Sequence, residues 1–364
     1  MRGCNTRNII GVFGRFLLLI LILISTNIRQ IKAAAGELEQ QVCDTEDDNG
    51  GEAGTCSSTT ASTTTPRAPP QILANGSFQT LDSSSFEDIT SLSHDALLDG
   101  TNNDDHDNDN DSDNKLLRPN ATIAQIPGGE NIALRYVQDL IRPETASRLI
   151  ESCDKRSGWT SSPQSVGGSA TVKATRTSRS CPLIWPQLYL PLMDDPAYKS
   201  KLESVRDEID LTWHLTQRIA QLLDVGEEFI EPFQLVRYQP GEFYKEHHDH
   251  GSYYGVDTEQ RPLTLLVFLS DVPSSPGVGG EGGGYTKFRA VGDVESGGVA
   301  VVPRLGDGVL WKNENEHGEL LMDAVHEAIP PRENGGNIIK YAMNVWIAKK
   351  KIKDNMDVSA YRTK

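Results

Sequence analysis

The stretch YQPGEFYKEHHDHG, residues 238–251, holds three of the chain's eight histidines. The run that leads into it, FQLVRYQP, is rich in strand-forming residues and ends at a Pro-Gly turn. We therefore predict a strand at 233–238, a tight turn, and a second strand at 244–250 that carries the histidines.

Alternation along this second strand separates its polar side chains into two sets. His247 and Asp249 share one face, whereas His248 and His250 share the other. A His-x-Asp pair at a strand end supplies two of the three ligands of a 2-His-1-carboxylate iron site, and one further histidine must come from a distant part of the chain. The alternative is a solvated polar loop, which the rest of the sequence has to exclude.

The net negative charge of the 364-residue chain comes from one segment. Residues 36–114 carry eighteen acidic side chains and a single basic one, Arg67. With few large apolar residues, such a segment cannot bury enough surface to offset the entropy of ordering. We predict that residues 36–127 are disordered and dispensable for catalysis. The chain lacks repeats or a basic patch, which argues against a nucleic-acid partner.

The first 35 residues are typical of a signal peptide or a signal anchor. Arginines precede a nine-residue apolar run at 16–24, which is short for a membrane span of about 20 residues. Small residues at 33–35 could be a cleavage site, but they lie beyond the apolar core, so retention as a membrane anchor stays open. Either outcome predicts a catalytic domain in the lumen of the endoplasmic reticulum.

Sequons and cysteines are consistent with that compartment. N-glycosylation sequons begin at Asn75, Asn110 and Asn120, so the lumenal segment could carry glycans. Besides Cys4 the chain has four cysteines, an even number suited to an oxidising environment. The simplest pairing joins Cys43 to Cys56 and Cys153 to Cys181, although the sequence alone does not decide it.

From about residue 128 the sequence changes to alternating apolar segments. We predict a strand at 130–141 and helices at 142–153 and 205–225. Further strands are predicted at 263–272, 285–291, 298–303, 307–313, around His326, and at 337–350. Short strands that follow helices indicate an α+β domain at 128–352, with a jelly-roll core supported by N-terminal helices and followed by a tail at 353–364.

The third ligand and an unusual lysine lie in this strand-rich part. His326 is flanked by apolar residues in LLMDAVHEAIPP, which suits an inward-facing ligand. His317 lies in a charged turn and is expected to be exposed, and His214 is expected to pack on its helix. Lys340 lies inside the apolar strand NIIKYAMNVWI, where a lysine is costly to bury unless an anion meets it. The sequence therefore predicts a carboxylate ligand beside Lys340.

Five motifs, in order, resemble the prolyl 4-hydroxylase family of iron and 2-oxoglutarate dependent dioxygenases. FQLVRYQPGEFYKEHHDH resembles the segment that carries the first two metal ligands, and RPLTLLVFLSDV resembles the strand after it. GGGYTKF and GDGVLWKN resemble the next turn and strand. HEAIPPRENGGNIIKYAMNVWI resembles the segment with the distal histidine, the lysine and the tryptophan. The family's fold is a double-stranded β-helix, the jelly roll expected above.

The resemblance implies roles for eight residues. Fe(II) would be bound by His247, Asp249 and His326. Lys340 would pair with the distal carboxylate of 2-oxoglutarate, and Tyr238 and Thr286 would add hydrogen bonds. Tyr244 and Trp346 would line the pocket near the substrate and the cosubstrate, respectively. The alternative for the cosubstrate is that Lys340 extends to solvent and that Arg332 or another cation binds the carboxylate.

The activity implied by the resemblance is hydroxylation of peptidyl proline to 4-hydroxyproline, with dioxygen as cosubstrate and L-ascorbate as reductant. Three alternatives stay open. A dioxygenase for another side chain or a small molecule would use the same core. A metal-free binding module would have no need of three ligands and a lysine. A zinc hydrolase could use the His/His/Asp set, but it would give Lys340 no role.

Overall fold

The apolar segments fold into two antiparallel β-sheets in the computed structural model. The structure describes residues 69–75, 77–88, 121–162, 175–250, 261–272, 283–295, 297–332 and 338–352. The predicted signal segment at 1–35, the Cys43–Cys56 pairing and the tail at 353–364 lie outside these residues. No helix in the described ranges is long and apolar enough to cross a bilayer.

The smaller sheet has six strands and carries two histidine ligands. Its strands are β1 (Gln71–Ala74), β2 (Ser77–Thr80), β9 (Tyr244–His247), β11 (Thr286–Phe288), β12 (Val299–Val301) and β14 (His326–Ala328). Their order across the sheet is β2-β1-β12-β11-β14-β9. Because β14 lies beside β9, His326 is directly opposite His247.

The larger sheet has nine strands and carries Lys340. Its strands are β3 (Glu87–Asp88), β4 (Thr122–Gln125), β5 (Arg135–Gln138), β6 (Thr160–Ser161), β7 (Arg179–Pro182), β8 (Gln234–Tyr238), β10 (Leu263–Phe268), β13 (Gly308–Lys312) and β15 (Lys340–Ile347). Their order is β3-β4-β5-β13-β10-β15-β8-β7-β6. Strands β10 and β15 lie at the centre, and β10 is buried along its whole length.

Alternation along the central strands gives the larger sheet two apolar faces. Leu266 and Phe268 belong to a buried cluster that also contains Phe288 and Val301 of the smaller sheet. Leu265 of the same strand belongs to a second cluster, which contains residues of the helices. The two sheets therefore share one core, consistent with a jelly roll, and the helices cover the outer face of the larger sheet.

Four helices precede most of the core strands. They are α1 (Pro143–Lys155), α2 (Pro186–Tyr189), α3 (Pro196–Leu202) and α4 (Arg206–Leu222). The apolar stripes of α1 and α4 place Leu149 and Leu215 in the helix-side core. A disulfide between Cys153 and Cys181 fastens α1 to β7, so the second of the two predicted cysteine pairings is confirmed.

The strand that carries the first metal ligands is shorter than predicted. It ends at His247, not at residue 250. The backbone N–H of His250 donates to Nδ1 of His248 at 3.0 Å, so this part of the chain closes a local turn instead of extending the ladder. The predicted strand at 130–141 is also shortened: a 3-10 turn at Glu130–Ile132 precedes β5.

The expectation that residues 36–127 are disordered is wrong where the structure describes them. β1 pairs with β12, with Ile72 opposite Val301, and Ile72 is 1% exposed. β4 pairs with β5, so the domain begins well before residue 128. The acidic composition of the whole segment concealed these strands, because a few apolar residues are enough to extend an existing sheet edge. Residues 36–68, 76 and 89–120 lie outside the residues that the structure describes.

We expect Ile72→Ala to lower the free energy of unfolding by about 2 to 5 kcal/mol, because a buried aliphatic side chain is replaced by a cavity. Thr80→Ala in the adjacent β2 changes an exposed residue and should cost under about 0.5 kcal/mol. Urea unfolding of the two variants and the parent measures the difference. Equal stability of the two variants would mean that β1 does not belong to the cooperative core.

Candidate metal centre

Three ligand-type side chains converge at one end of the smaller sheet. Ligand atoms of His247, Asp249 and His326 all lie within 4.8 Å of one another. Nε2 of His247 is 3.7 Å from Oδ1 of Asp249, and Nε2 of His326 is 3.9 Å from Oδ2. Two histidines and one carboxylate on one side of a site form the facial set that binds non-haem iron. The structure therefore brings together all three predicted ligands.

Backbone carbonyls orient both imidazole rings. Nδ1 of His247 lies 2.8 Å from the carbonyl oxygen of Lys245, and Nδ1 of His326 lies 2.9 Å from that of Ala324. A carbonyl oxygen can only accept, so each Nδ1 carries a proton, and in the neutral form of each ring the lone pair lies on Nε2. This arrangement fixes the tautomer needed for coordination through Nε2.

Side-chain donors hold the carboxylate of Asp249. The hydroxyl of Thr264 and Nε1 of Trp346 each donate to Oδ2 at 3.1 Å. Nδ2 of Asn313 donates to the hydroxyl of Thr264 at 2.8 Å, and Nε1 of Trp311 donates to Oδ1 of Asn313 at 3.0 Å. Oδ1 of Asp249 faces His247 and stays available for a metal.

The electrostatics at His247 and Asp249 suit a cation bound by a neutral imidazole and an ionised carboxylate. Burial, together with the neighbouring His326, lowers the pKa of His247 to about 3, so its ring is neutral at pH 7. Burial by itself would raise the pKa of Asp249. The neighbouring His326, His247 and Arg261 outweigh burial and lower this pKa to about 2. Nε2 of His247 and the carboxylate of Asp249 therefore need no deprotonation to bind a metal at neutral pH.

Tyr244 covers one side of the centre. Its ring stacks on His247 with centroids 3.5 Å apart, and the guanidinium of Arg176 lies 4.5 Å from the centroid of the Tyr244 ring. Arg176 is itself buried and donates through Nε to the hydroxyl of Ser178 at 2.8 Å. The ring of Tyr244 thus contacts both a cation and a predicted ligand, and its role near the substrate stays a prediction.

Lys340 is buried in the core between the sheets, only 1% exposed. Its Nζ donates to the hydroxyl of Thr286 at 3.2 Å and lies 5.5 Å from the ring centroid of Tyr238. Burial lowers the pKa of Lys340 to about 7 and raises that of Tyr238. The alternative that Lys340 extends to solvent is therefore wrong. Thr286 and the ring of Tyr238 thus lie beside the Lys340 ammonium, and their predicted hydrogen bonds to a cosubstrate stay a prediction.

The remaining histidines of the described chain lie outside the triad. Nε2 of His248 donates to the carbonyl oxygen of Leu321 at 3.1 Å. Nδ1 of His214 is 2.8 Å from the carbonyl oxygen of Asp210 on its own helix. The side chain of His317 is 72% exposed. Trp346 lies closer to the metal centre than predicted, since it hydrogen bonds to a ligand.

The sequence analysis missed the residues that support Asp249. Thr264 has a detectable signal, because it is a polar residue inside the apolar strand PLTLLVF. Asn313, at the end of GDGVLWKN, has a weaker one. The buried pair Glu231 and Arg261 has none, because nothing in the sequence links two charges that are far apart in the chain.

Comparisons with known proteins agree with this geometry. Residues 233–348 match the model of the 2OG-Fe(II) oxygenase superfamily. Prolyl 4-hydroxylase 13 of Arabidopsis thaliana is 29% identical over 161 residues, 41% of this chain and 52% of the relative. Prolyl 4-hydroxylase 1 of the same organism is 32% identical over 125 residues, 31% of this chain and 40% of the relative. The chain thus spans about half the length of the curated relatives it matches.

One solved structure similar to this chain is a viral collagen prolyl hydroxylase from Paramecium Bursaria Chlorella virus-1, in complex with 2OG. It is 16% identical, and the match covers 59% of this chain and 95% of the viral one, with a TM-score of 0.39.

We expect His247→Ala to lose bound Fe(II), whereas His248→Ala and His250→Ala keep the metal and at least partial activity. The reason is that Nε2 of His247 faces Asp249, while that of His248 is engaged by Leu321. Metal content per chain after anaerobic loading measures this. Metal loss in His248→Ala together with retention in His247→Ala would contradict the assignment of ligands.

Proposed function

We infer an oxidative function from the match of residues 233–348 to the 2OG-Fe(II) oxygenase superfamily and from the similarity of the chain to prolyl 4-hydroxylases. We propose that the chain is an Fe(II)- and 2-oxoglutarate-dependent dioxygenase that hydroxylates peptidyl proline to 4-hydroxyproline in proteins of the secretory pathway. One observation carries the proposal: a 2-His-1-carboxylate set and a buried lysine lie in the same core.

The residues present fit both implied groups. Two imidazoles whose Nδ1 atoms donate to backbone carbonyls turn Nε2 toward one carboxylate, a set of ligands that suits a divalent metal. Among the described residues, Thr286 is the hydrogen-bond partner of the buried Lys340 ammonium. An ammonium buried at that depth favours an anionic partner. We assign the distal carboxylate of 2-oxoglutarate to Lys340, with hydrogen bonds from Thr286 and Tyr238.

Bound together, Fe(II), 2-oxoglutarate and dioxygen supply the oxidation, in which one oxygen atom enters the substrate C–H bond and the other enters succinate, with release of carbon dioxide. The chain's own residues would bind and orient these groups and the substrate. His247, Asp249 and His326 would hold the metal, and a facial set of three ligands would leave positions for the cosubstrates. Tyr244, in contact with Arg176 and His247, would position the prolyl ring. The apolar core between the sheets excludes water around Lys340.

Several observations weigh against other functions. A zinc hydrolase gives no role to the buried Lys340, whose ammonium donates to Thr286 and lies near the ring of Tyr238. A metal-free binding module gives no reason for two imidazoles locked in the ligating tautomer. A dioxygenase for another side chain or a small molecule uses the same centre, and only the substrate distinguishes it from the prolyl hydroxylase that we propose.

We further propose that the catalytic domain acts in the lumen of the endoplasmic reticulum, either released from its signal segment or anchored by it, with ascorbate as reductant. The Cys153–Cys181 disulfide supports this location, because disulfides persist in oxidising compartments.

The substrate is tested with the lumenal chain, Fe(II), 2-oxoglutarate, ascorbate and a panel of proline-rich peptides. We expect a mass gain of one oxygen on proline and a matching yield of succinate. Peptides in which each proline is replaced by alanine are the matched control. Turnover of 2-oxoglutarate without any proline-dependent mass gain would assign the chain to another substrate. Absence of succinate under every condition would overturn the dioxygenase itself.

We expect Lys340→Ala to raise the 2-oxoglutarate concentration for half-maximal rate by about thirty-fold or more. Loss of one partner from a desolvated charge pair costs about 2 to 5 kcal/mol, and each 1.4 kcal/mol is about tenfold. Arg332→Ala is the control, because Arg332 is the alternative cation. An unchanged value for Lys340→Ala, with a raised value for Arg332→Ala, would move the cosubstrate to Arg332.

The same lysine predicts a pH dependence. Without cosubstrate the pKa of Lys340 is about 7, so its amine is increasingly neutral above pH 7 and must take up a proton to pair with a carboxylate. Affinity for 2-oxoglutarate should therefore fall as the pH rises from 7 to 8.5, by up to about tenfold per pH unit. Lys340→Arg keeps its charge and should flatten this dependence. Titration of the Mn(II)-loaded protein measures both.

A further inference from the structure

We propose that the buried ion pair of Glu231 and Arg261 is a positioning device for the metal ligand Asp249, acting through Trp346, and that it sets the metal affinity of the centre. The proposal rests on the metal site of the proposed function and goes beyond it by assigning a role to two residues that do not belong to the triad.

Asp249 is the ligand that secondary structure supports least. β9 ends at His247, so no strand pairing holds the backbone of Asp249. His247 and His326, by contrast, are cross-strand partners in the smaller sheet. The carboxylate of Asp249 must therefore be positioned by contacts made from other elements.

Arg261 makes those contacts from the start of β10. Its Nε and one terminal nitrogen donate to the two carboxylate oxygens of Glu231, at 2.8 and 2.7 Å. The other terminal nitrogen lies 3.5 Å from the carbonyl oxygen of Asp249. The guanidinium carbon is 3.8 Å from the centroid of the Trp346 ring. One planar group thus contacts the ligand's backbone and covers the indole whose N–H donates to the ligand's carboxylate.

Glu231 closes this set of contacts. Its backbone N–H donates to the carbonyl oxygen of Trp346 at 3.0 Å, while its carboxylate grips Arg261. Trp346 is therefore fixed at its backbone by Glu231 and at its ring by Arg261. Trp346 is also the cross-strand neighbour of Thr264. The pairing of β10 with β15 therefore fixes the positions of both donors to Oδ2 of Asp249.

The burial of Glu231 and Arg261 indicates that the pair positions its neighbours more than it stabilises the fold. The side chains of Arg261 and Glu231 are 4% and 0% exposed. Removal of two charges from water is expensive, and an apolar pair of similar volume is often as stable. A bidentate fork that also stacks on an indole gives defined geometry instead. Lysine keeps the charge but can reproduce neither the fork nor the stacking.

The test measures metal affinity directly, with cobalt(II) as the probe. We expect Arg261→Lys and Trp346→Phe each to weaken binding by about 10- to 100-fold, the range found when outer-shell partners of ligands are removed. Both should alter the visible spectrum of the bound cobalt. In the double variant the losses should be less than additive, because both changes break the same link. Affinity for 2-oxoglutarate at saturating metal should stay within about twofold in Arg261→Lys.

Arg156→Lys is the matched control. Arg156 also forms a bidentate pair with a glutamate, Glu208, at 2.7 and 3.0 Å, but within the helical layer. This variant should lose stability without any change in cobalt affinity or spectrum. If Arg261→Lys fails to fold, Trp346→Phe tests the same link from its other end, since it keeps a ring beneath the guanidinium and removes only the N–H donor.

The outcomes separate this proposal from the proposed function. If the parent chain binds no cobalt, or if Asp249→Ala binds it equally well, the metal site itself is wrong. If the parent binds through Asp249 while Arg261→Lys and Trp346→Phe leave affinity and spectrum unchanged, the ion pair is structural only and the proposal is overturned. Fully additive losses in the double variant would also overturn it, because Arg261 would then not act through Trp346.

Discussion

The pairing of β14 with β9 is the constraint on which the site depends. It sets His326 opposite His247, from segments far apart in the chain, and it does so through backbone hydrogen bonds that no side chain supplies. A one-residue slip would turn one imidazole to the other face of the sheet and leave two ligands instead of three. β11, the next strand in the sheet, holds Phe288 opposite His326 and contributes Thr286 beside Lys340. The pairing within one sheet therefore positions both the candidate histidine ligands and the threonine beside Lys340.

The larger sheet supplies side chains that hold the carboxylate of Asp249, which no strand of the smaller sheet carries. Trp311, Thr264 and Trp346 are cross-strand neighbours on β13, β10 and β15, and they form a single row beneath Asp249. Two of them donate directly to its carboxylate, and the third acts through Asn313. The carboxylate can lie on irregular backbone because this row, together with Arg261, holds it from the opposite sheet. The smaller sheet thus presents the imidazoles, and the larger sheet orients the carboxylate.

The sequence predicted the parts of the site that lie within short motifs. His247 and Asp249 are two residues apart, His326 lies between apolar residues and prolines, and Lys340 is a charge in an apolar strand, so each leaves a local signal. Contacts between distant segments leave none, which is why Arg261 and Glu231 were missed. The N-terminal strands were missed for a different reason. The acidic content of residues 36–127 is an average, whereas β1 and β4 depend on a few apolar side chains such as Ile72 and Ile123.

The place of β1 in the smaller sheet has a consequence for biosynthesis. β1 is made early in translation, yet its partner β12 comes from near the other end of the described chain, as do β13 and β15, the partners of β5 and β8. Neither sheet can close until most of the domain has been synthesised, and pairings of such high sequence separation form slowly. The emerging chain must carry unpaired apolar strands for that time, a state prone to aggregation. The Cys153–Cys181 bond joins nearer segments and can form first, so it is suited to hold α1 against β7 while the later strands arrive.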